Sequence, residues 1–535
     1  MTSVQIASTR IAPVQVGLLS QPHHDGSALY VSNLSPEPGD TVTVRIRVPH
    51  EAGVVAVHVR TTPDGEPQFA DAVVDRLDEN ETWWRAEIVC HNPVTCYRFV
   101  LEGRAMAYQW LNGTGLHLRD VPDAADFRIV TFEAPPAWAA DAVVYQLFPD
   151  RFARAADRQD RPMPSWAVSA EWDDPVDLSH DGVARQLYGG DLDGVVEHLD
   201  HLQSLGVTVL YLTPFFPSRS NHRYDASSFQ QVDPVLGGTD ALTRLTRAAH
   251  ARGMKVLGQA LNHEVATQMR RAMLDSNPDL LLIGEHCHDF TLDALGDGWH
   301  GVMNDSGFTR PLWTWLRAGG SAANFLGSPL MVPRLGGSCV AETMSEFAAL
   351  VPWRTVQHSF SLVGSHDTTR IRTLVGEDSR LVDVAAGLMF TMPGIPMMTY
   401  GDEIGMCGDC GEDGRRPMPW TDPAHWDARI LEVYRGLIAA RSDSHALRHG
   451  GLRWVRADDD VLVFLRESPE QTALVHCARA AHDPIRVPMR YLNGVAEAQT
   501  AYGGDLMRGS EHVILTADRP EVNIWTWPRR QGCQS

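Results

Sequence analysis

Apolar and polar residues alternate through residues 28–132, most clearly at 42–48, 54–59, 83–89 and 97–101. Turn clusters at 36–40 and 62–65 separate the runs. A period of two buries one face of each strand and wets the other. Short strands at this spacing predict an antiparallel β-sandwich over residues 1–133, behind an irregular leader of about 25 residues. The proline-rich stretch 134–138 reads as a linker, and after it the period changes. Apolar runs at 143–148, 207–212, 254–257, 280–283, 361–363 and 395–400 have strand length without alternation. Helical spacing falls between them at 192–205, 241–251, 341–350 and 381–392, and a last helix at 428–440 closes the region. Strands buried on both faces and alternating with helices predict an α/β domain, a TIM-type (β/α) barrel, over residues 134–448. Alternation returns from Leu452, at 461–465, 472–476, 513–515 and 522–527, and predicts a second β-sandwich over residues 449–535.

Two of the predicted barrel strands run into carboxylates. Residues 280–283 lead to Glu285, and residues 360–363 lead to His366 and Asp367. In a β/α barrel the loops after the strands carry the chemistry. Either acid alone reads equally well as a charged cap on a strand end. Two of them at strand ends of one barrel have the equipment to flank a glycosidic bond.

Composition narrows the partners. The formal net charge of −21 argues against nucleic acid or an anionic membrane and leaves a neutral ligand open. No run of about 20 apolar residues occurs, so no membrane span is expected. The apolar stretch 11–19 lacks a basic flank and a cleavage site, so a cytoplasmic location is expected. Lys255 is the only lysine, which leaves almost no candidate for Schiff-base chemistry. Cys407 and Cys410 form one CxxC with no second pair or nearby histidine, so no metal site is predicted. Cys90 and Cys96 read as neighbours on adjacent strands or as free core thiols. Trp83, Trp84, Tyr97 and Trp110 read as core packing or as platforms for sugar rings.

The segments 144–152, 188–192, 206–214, 221–225, 232–234, 284–285, 365–367, 394–405 and 415–420 together resemble, in order, the α-amylase family of glycoside hydrolases. The likeness is greatest to its neopullulanase, cyclomaltodextrinase and maltodextrin-glucosidase branch. The resemblance implies hydrolysis of α-1,4 or α-1,6 glucosidic bonds in maltodextrins, cyclodextrins or pullulan, with α-glucan oligosaccharides as partners. It implies Glu285 as general acid/base and Asp367 as stabiliser of the transition state. His366, His222 and Tyr224 would hold the sugar at the cleavage point, and Arg415 the next one. No cofactor is required, calcium is unsupported, and a homodimer is an expectation by analogy. Cys287 departs from the aromatic residue that this branch often places after the acid.

One part of the pattern is missing. A retaining mechanism needs a nucleophilic aspartate at the end of a fourth strand, and no such motif is present. Only residues 259–279 separate the third predicted strand from the strand before Glu285, whereas a barrel unit takes roughly 31 residues. The Asp expected after residue 258 is absent, and Asn262 with His263 reads as a chance likeness to a family signature. Val265, Met269 and Met273 share one helical face, resembling the helix after the nucleophile strand. The reading is a barrel lacking about one βα unit, incomplete around 258–263, through a deletion of very roughly 80–90 residues. Hydrolysis would then be impaired. The alternatives are a non-catalytic glucan-binding protein or an inactive deletion product. An inverting route would need a base, and no positioned base is evident; Asp225, Asp289 and Asp305 are candidates by nearness in sequence only.

Overall fold

The computed structural model describes residues 17–529 apart from 105–107, 158–162, 181, 260–265, 320–322, 324–330 and 377. Asn262, His263 and Val265 therefore lie outside the described residues.

Near the N-terminus, strands Thr41–Pro49, Glu81–Val89 and Val73–Leu77 form one antiparallel sheet. Gln68–Asp71, Val54–Thr61, Val94–Gly103, Tyr108–Asn112 and Gly115–His117 form another, with Phe127–Val130 also on Val94–Gly103. Inward residues of both sheets, such as Val44, Ile46, Val59 and Phe99, meet in one core. Trp83 and Tyr97 belong to that core, Trp83 stacking on Tyr30 at 5.3 Å, so neither offers a face to a sugar. Cys90 is a buried free thiol, as is half-buried Cys96. The C-terminal region repeats the plan. A five-stranded sheet carrying Val461–Glu467 and Glu521–Pro528 faces a three-stranded sheet carrying His482–Pro488 and His512–Ala517. Val463, Leu465, Trp525, Val513 and Leu515 fill the space between them.

Between these lies the barrel domain. Its strands are β1 (Val144–Leu147), β2 (Val209–Leu212), β3 (Lys255–Gly258), β4 (Ile283–Gly284), β5 (Gly301–Val302), β6 (Phe360–Leu362) and β7 (Ile395–Thr399). All their pairings are parallel, and five stand in the order β3-β2-β1-β7-β6. β4 pairs with β5, and a single bridge from Met303 to Phe360 joins that pair to β6. Among the described residues, nothing pairs β3 with β4. The wall is a parallel sheet curled on itself.

Two elements differ from the expected pattern. The helix read over 192–205 is two, Leu192–Glu197 and Leu199–Leu205. His198 breaks it: its Nδ1 lies 2.9 Å from the Gly194 carbonyl, the oxygen its own amide would use four residues back. The strand read over 280–283 is paired only at Ile283–Gly284. Among the described residues its other edge has no partner strand to extend it. No helix among the described residues is long and apolar enough to cross a membrane.

Candidate active site

The barrel axis is filled by Val144, Val209, Tyr211, Leu281, Met303, Phe360, Leu362, Ile395 and Met397, with Leu257 and Ile283 against them. Strand side chains repeat every second residue. One pleat nearer the C-terminal mouth, the same parity gives Gln146 on β1 and Thr399 on β7, and Gln259, Glu285 and Asp305 just past β3, β4 and β5. Asp367 and His366 reach this layer on the loop after β6. Gln146 helps to fix that loop. Its Oε1 accepts from the His366 amide at 3.0 Å and from the Thr399 hydroxyl at 3.4 Å.

One carboxylate oxygen each of Glu285 and Asp367 and one ring nitrogen of His366 lie within 4.8 Å of one another. The two acids are held in opposite charge states. Burial, then the negative charges of Asp367 and Asp305, push the Glu285 carboxyl up to about 8, so it carries its proton at neutral pH. Burial also disfavours the Asp367 anion. There the charges of His366 and Arg415 and the Arg415 hydrogen bond outweigh it and hold the carboxyl below its usual range. Arg415 reaches Asp367 Oδ1 at 2.5 Å, Glu412 Oε2 at 2.9 Å and the His366 carbonyl at 2.7 Å. His366 itself is brought down to about 4, chiefly by burial, so it is charged only in the acid range where Asp367 titrates and is a neutral imidazole at neutral pH.

The loop after β2 carries His222 and Tyr224. Between them Arg223 is buried with φ of 61°, a left-handed backbone that few side chains adopt, and its Nε binds Asp233 at 3.0 Å. This kink sets the two flanking rings 5.7 Å apart. The Tyr224 ring stacks on His366 at 5.8 Å and 11°, and its hydroxyl bonds His366 Nε2. The Gln259 amide donates to that hydroxyl at 2.9 Å and also to Glu285 Oε2. Gln259 thus stands against the acid with a neutral amide. Sequence reading noted position 259 only as lacking an expected Asp and passed over Gln146, because neither side chain titrates. The parity of the strands was the signal that locates both.

The three sequence candidates for a base separate cleanly. Asp225 is committed to its own turn, accepting from the Ser220 hydroxyl and the Arg219 amide. Asp289 is exposed and closes a turn on the Thr291 amide at 3.0 Å. Asp305 alone is buried beside the acids. Burial pushes the Cys287 thiol up to about 11, with Asp305, Glu285 and Asp367 adding to it, so it is no nucleophile. Cys407 and Cys410 are exposed free thiols. Glu285, His366 and Asp367 are the one ligand-like cluster among the described residues.

The family profile "Alpha amylase, catalytic domain" matches in two segments, residues 146–266 and 258–491, well over half of the sequence. The chain belongs to the alpha-amylase family. By family it is an alpha-amylase-type glycosidase, as the order of its motifs implied. Similar proteins include the cyclomaltodextrinase of Geobacillus thermopakistaniensis strain MAS1, 26% identical over 505 residues, covering 76% of this chain and 81% of that one. Neopullulanase 2 of Thermoactinomyces vulgaris is 26% identical over 505 residues, with 76% and 82% covered. Among solved structures, a cyclomaltodextrinase superposes with a TM-score of 0.69 at 23% identity, covering 95% of this chain and all of the other. The type III pullulan hydrolase from Thermococcus kodakarensis gives 0.65 at 20%, with 94% and all covered. At these identities the structural likeness is one of fold, and it extends to the regions flanking the alpha-amylase barrel.

Proposed function

We propose that this chain binds α-glucan oligosaccharides at the barrel mouth, that Glu285 and Asp367 act on the glucosidic bond, and that the family's double-displacement route is closed to it. The pairing of a protonated Glu285 with an ionised Asp367 inside 4.8 Å carries this reading. A glycosidic oxygen needs a proton as it leaves, and the oxocarbenium-like sugar left behind needs a fixed negative charge. Glu285 supplies the first and Asp367 the second. His366, His222 and Tyr224 would pack against that sugar, and Arg415 would fix Asp367 while reaching toward the next.

Three observations support the loss of the nucleophile. Among the described residues nothing pairs β3 with β4, as expected if one βα unit is missing between them. The two matched segments overlap at residues 258–266, so one short stretch answers to two separate parts of the profile. The alignment with the cyclomaltodextrinase runs over 505 positions but takes in 76% of 535 residues. About 100 of its positions therefore have no residue here. Asp367 is an unsuitable substitute, because its ion pair with Arg415 occupies one oxygen and weakens it as a nucleophile.

Calorimetry with maltotriose is expected to give saturable binding, and its absence would overturn the α-glucan reading. Intact-mass measurement after a slow fluoro-sugar substrate is expected to find no glycosyl adduct. An adduct on any carboxylate would mean that a nucleophile survives. A cytoplasmic location and a homodimer are parts of the same proposal, open to cell fractionation and analytical ultracentrifugation.

A further inference from the structure

We propose that Gln259 is a positioning residue of this site: its one carboxamide holds the Glu285 carboxyl on one side and the Tyr224 hydroxyl on the other, and so fixes the acid and the ring that packs on the sugar relative to each other. The inference rests on the reading of Glu285 as the acid of an α-glucan site and names the group that holds it.

Gln259 stands at the end of β3. Its backbone amide donates to the Leu212 carbonyl at the end of β2 at 3.0 Å, so the main chain there is pinned. Gly258 before it lies against Phe215, whose ring is 2.6 Å from where a Cβ would stand, so the end of β3 seats closely on that ring. The Gln259 residue is 7% exposed. From this base the carboxamide reaches two partners. Nε2 donates to Glu285 Oε2 and to the Tyr224 hydroxyl at 2.9 Å, and Oε1 is 3.2 Å from the same hydroxyl. Tyr224 in turn bonds His366 Nε2 and stacks on that ring. One amide thus links the acid to the ring pair beside Asp367.

Glu285 needs such a tie. It follows β4, which is two residues long and pairs with β5. Among the described residues nothing pairs β3 with β4, so no backbone ladder steadies the acid from that side. Gln259 crosses this boundary with a side chain instead. A catalytic group has to be held within about 0.5 Å of its working geometry, and a locked neighbour is what holds it.

The bond suits the acid in both of its charge states. While Glu285 is protonated, Oε2 accepts from the amide and the proton is carried on Oε1, the oxygen that Gln259 leaves free. As that proton passes to the glycosidic oxygen, the same N–H faces a developing carboxylate. A hydrogen bond to an anion is roughly twice as strong as one to a neutral group, so the contact tightens as the proton leaves. A carboxylate at position 259 would work against this, because two acids in contact cannot both ionise freely. The other groups facing Glu285 are Asp367, Asp305, Cys287, Arg415, Tyr211 and Tyr224. Gln259 and Arg415 are the two neighbours that ease the loss of its proton.

The test is the carboxyl titration of Glu285 by carbon-13 NMR in the full chain and in Gln259→Leu. Removing a donor that favours the anion should raise the midpoint from about 8 by about one pH unit. In the unaltered chain with nitrogen-15 in its glutamine side chains, the Gln259 amide hydrogens should move with the Glu285 midpoint. Gln259→Glu, which keeps the shape, should make the two carboxyls titrate as a pair in two separated steps. In calorimetry Gln259→Leu should bind maltotriose about two- to tenfold more weakly, because Tyr224 loses a neutral hydrogen bond. A Glu285 midpoint that stays in place in Gln259→Leu would overturn the proposal. A midpoint that falls would overturn it too, since the amide would then face the acid with its oxygen. So would an unchanged maltotriose affinity, or two independent carboxyls in Gln259→Glu. Amide hydrogens of the unaltered chain that ignore the Glu285 titration would overturn it even where a variant fails to fold. Absence of maltotriose binding by the unaltered chain would instead overturn the α-glucan reading, and the titrations would still decide the role of Gln259.

Discussion

Two glutamates, one buried at the seam between the flanking domains and one half-buried at the barrel mouth, meet opposite fates. Glu467, in the C-terminal region, receives Arg47 of the N-terminal region through both oxygens, and Arg529 at 3.0 Å. Burial favours its neutral form, but these guanidiniums outweigh burial and hold the carboxyl far below its ordinary range. Glu285 receives one neutral amide from Gln259. The nearest arginine on its side, Arg415, is spent on Asp367, Glu412 and a carbonyl. The same residue type, taken out of water in both places, is an anion where the fold supplies cations and an acid where it withholds them. The seam uses the charge to fasten two domains. The mouth uses its absence to keep a proton ready.

Substitutions can break the comparison at either end. The largest effect is expected from Glu285→Gln, which keeps the shape and removes the transferable proton. Any hydrolysis of maltotriose should fall by about 10²–10⁴-fold while calorimetric binding persists. An unchanged rate would place the acid elsewhere. Next is Arg47→Met at the seam, which leaves Glu467 short of its main counter-ion inside the protein. A cost of about 3–5 kcal/mol is expected in urea unfolding, with much of it recovered when Glu467→Leu is added. A cost under about 1 kcal/mol, the range of exposed pairs, would show that the seam does not depend on this charge.

The pH dependence of stability sharpens the contrast. Glu285 is raised from an ordinary value near 4.5 to about 8. Its contribution is therefore complete below about pH 4.5 and is lost as pH rises through about 8, because only the folded state holds the proton between them. The loss runs at up to about 1.4 kcal/mol per pH unit for one group. Glu285→Gln should flatten that slope in unfolding curves taken between pH 5 and 8, and an unchanged slope would sink the assignment. The smallest effect is expected from Arg415→Leu. With its cation gone, Asp367 should titrate higher than in the parent, seen by carbon-detected NMR. No movement would mean that Arg415 does not set its charge.

Much of this was legible in the sequence. The change from period two to uninterrupted apolar strands and back again marked three regions, and strand-end carboxylates marked Glu285 and Asp367. The shortage of residues after Gly258 is the ground on which a missing βα unit is proposed. Other features were hidden for physical reasons. His198 splits a helix through a side-chain bond that no apolar pattern records. Gln259 carries no charge to draw notice. Asp305 lies among Asn304, Ser306 and Gly307, a composition that reads as a solvent-exposed turn. The pairing of β4 with β5 sets it level with Cys287, one pleat past the acid.

The most direct measurement is a carboxyl titration of the chain with carbon-13 at the glutamate side chains, followed by NMR and assigned with Glu285→Gln and Glu467→Gln. A midpoint near 8 is expected for Glu285, with Glu467 ionised throughout the range in which the protein stays folded. A Glu285 midpoint in the ordinary glutamate range near 4.5 would contradict the account, because the barrel mouth would then hold no acid at neutral pH.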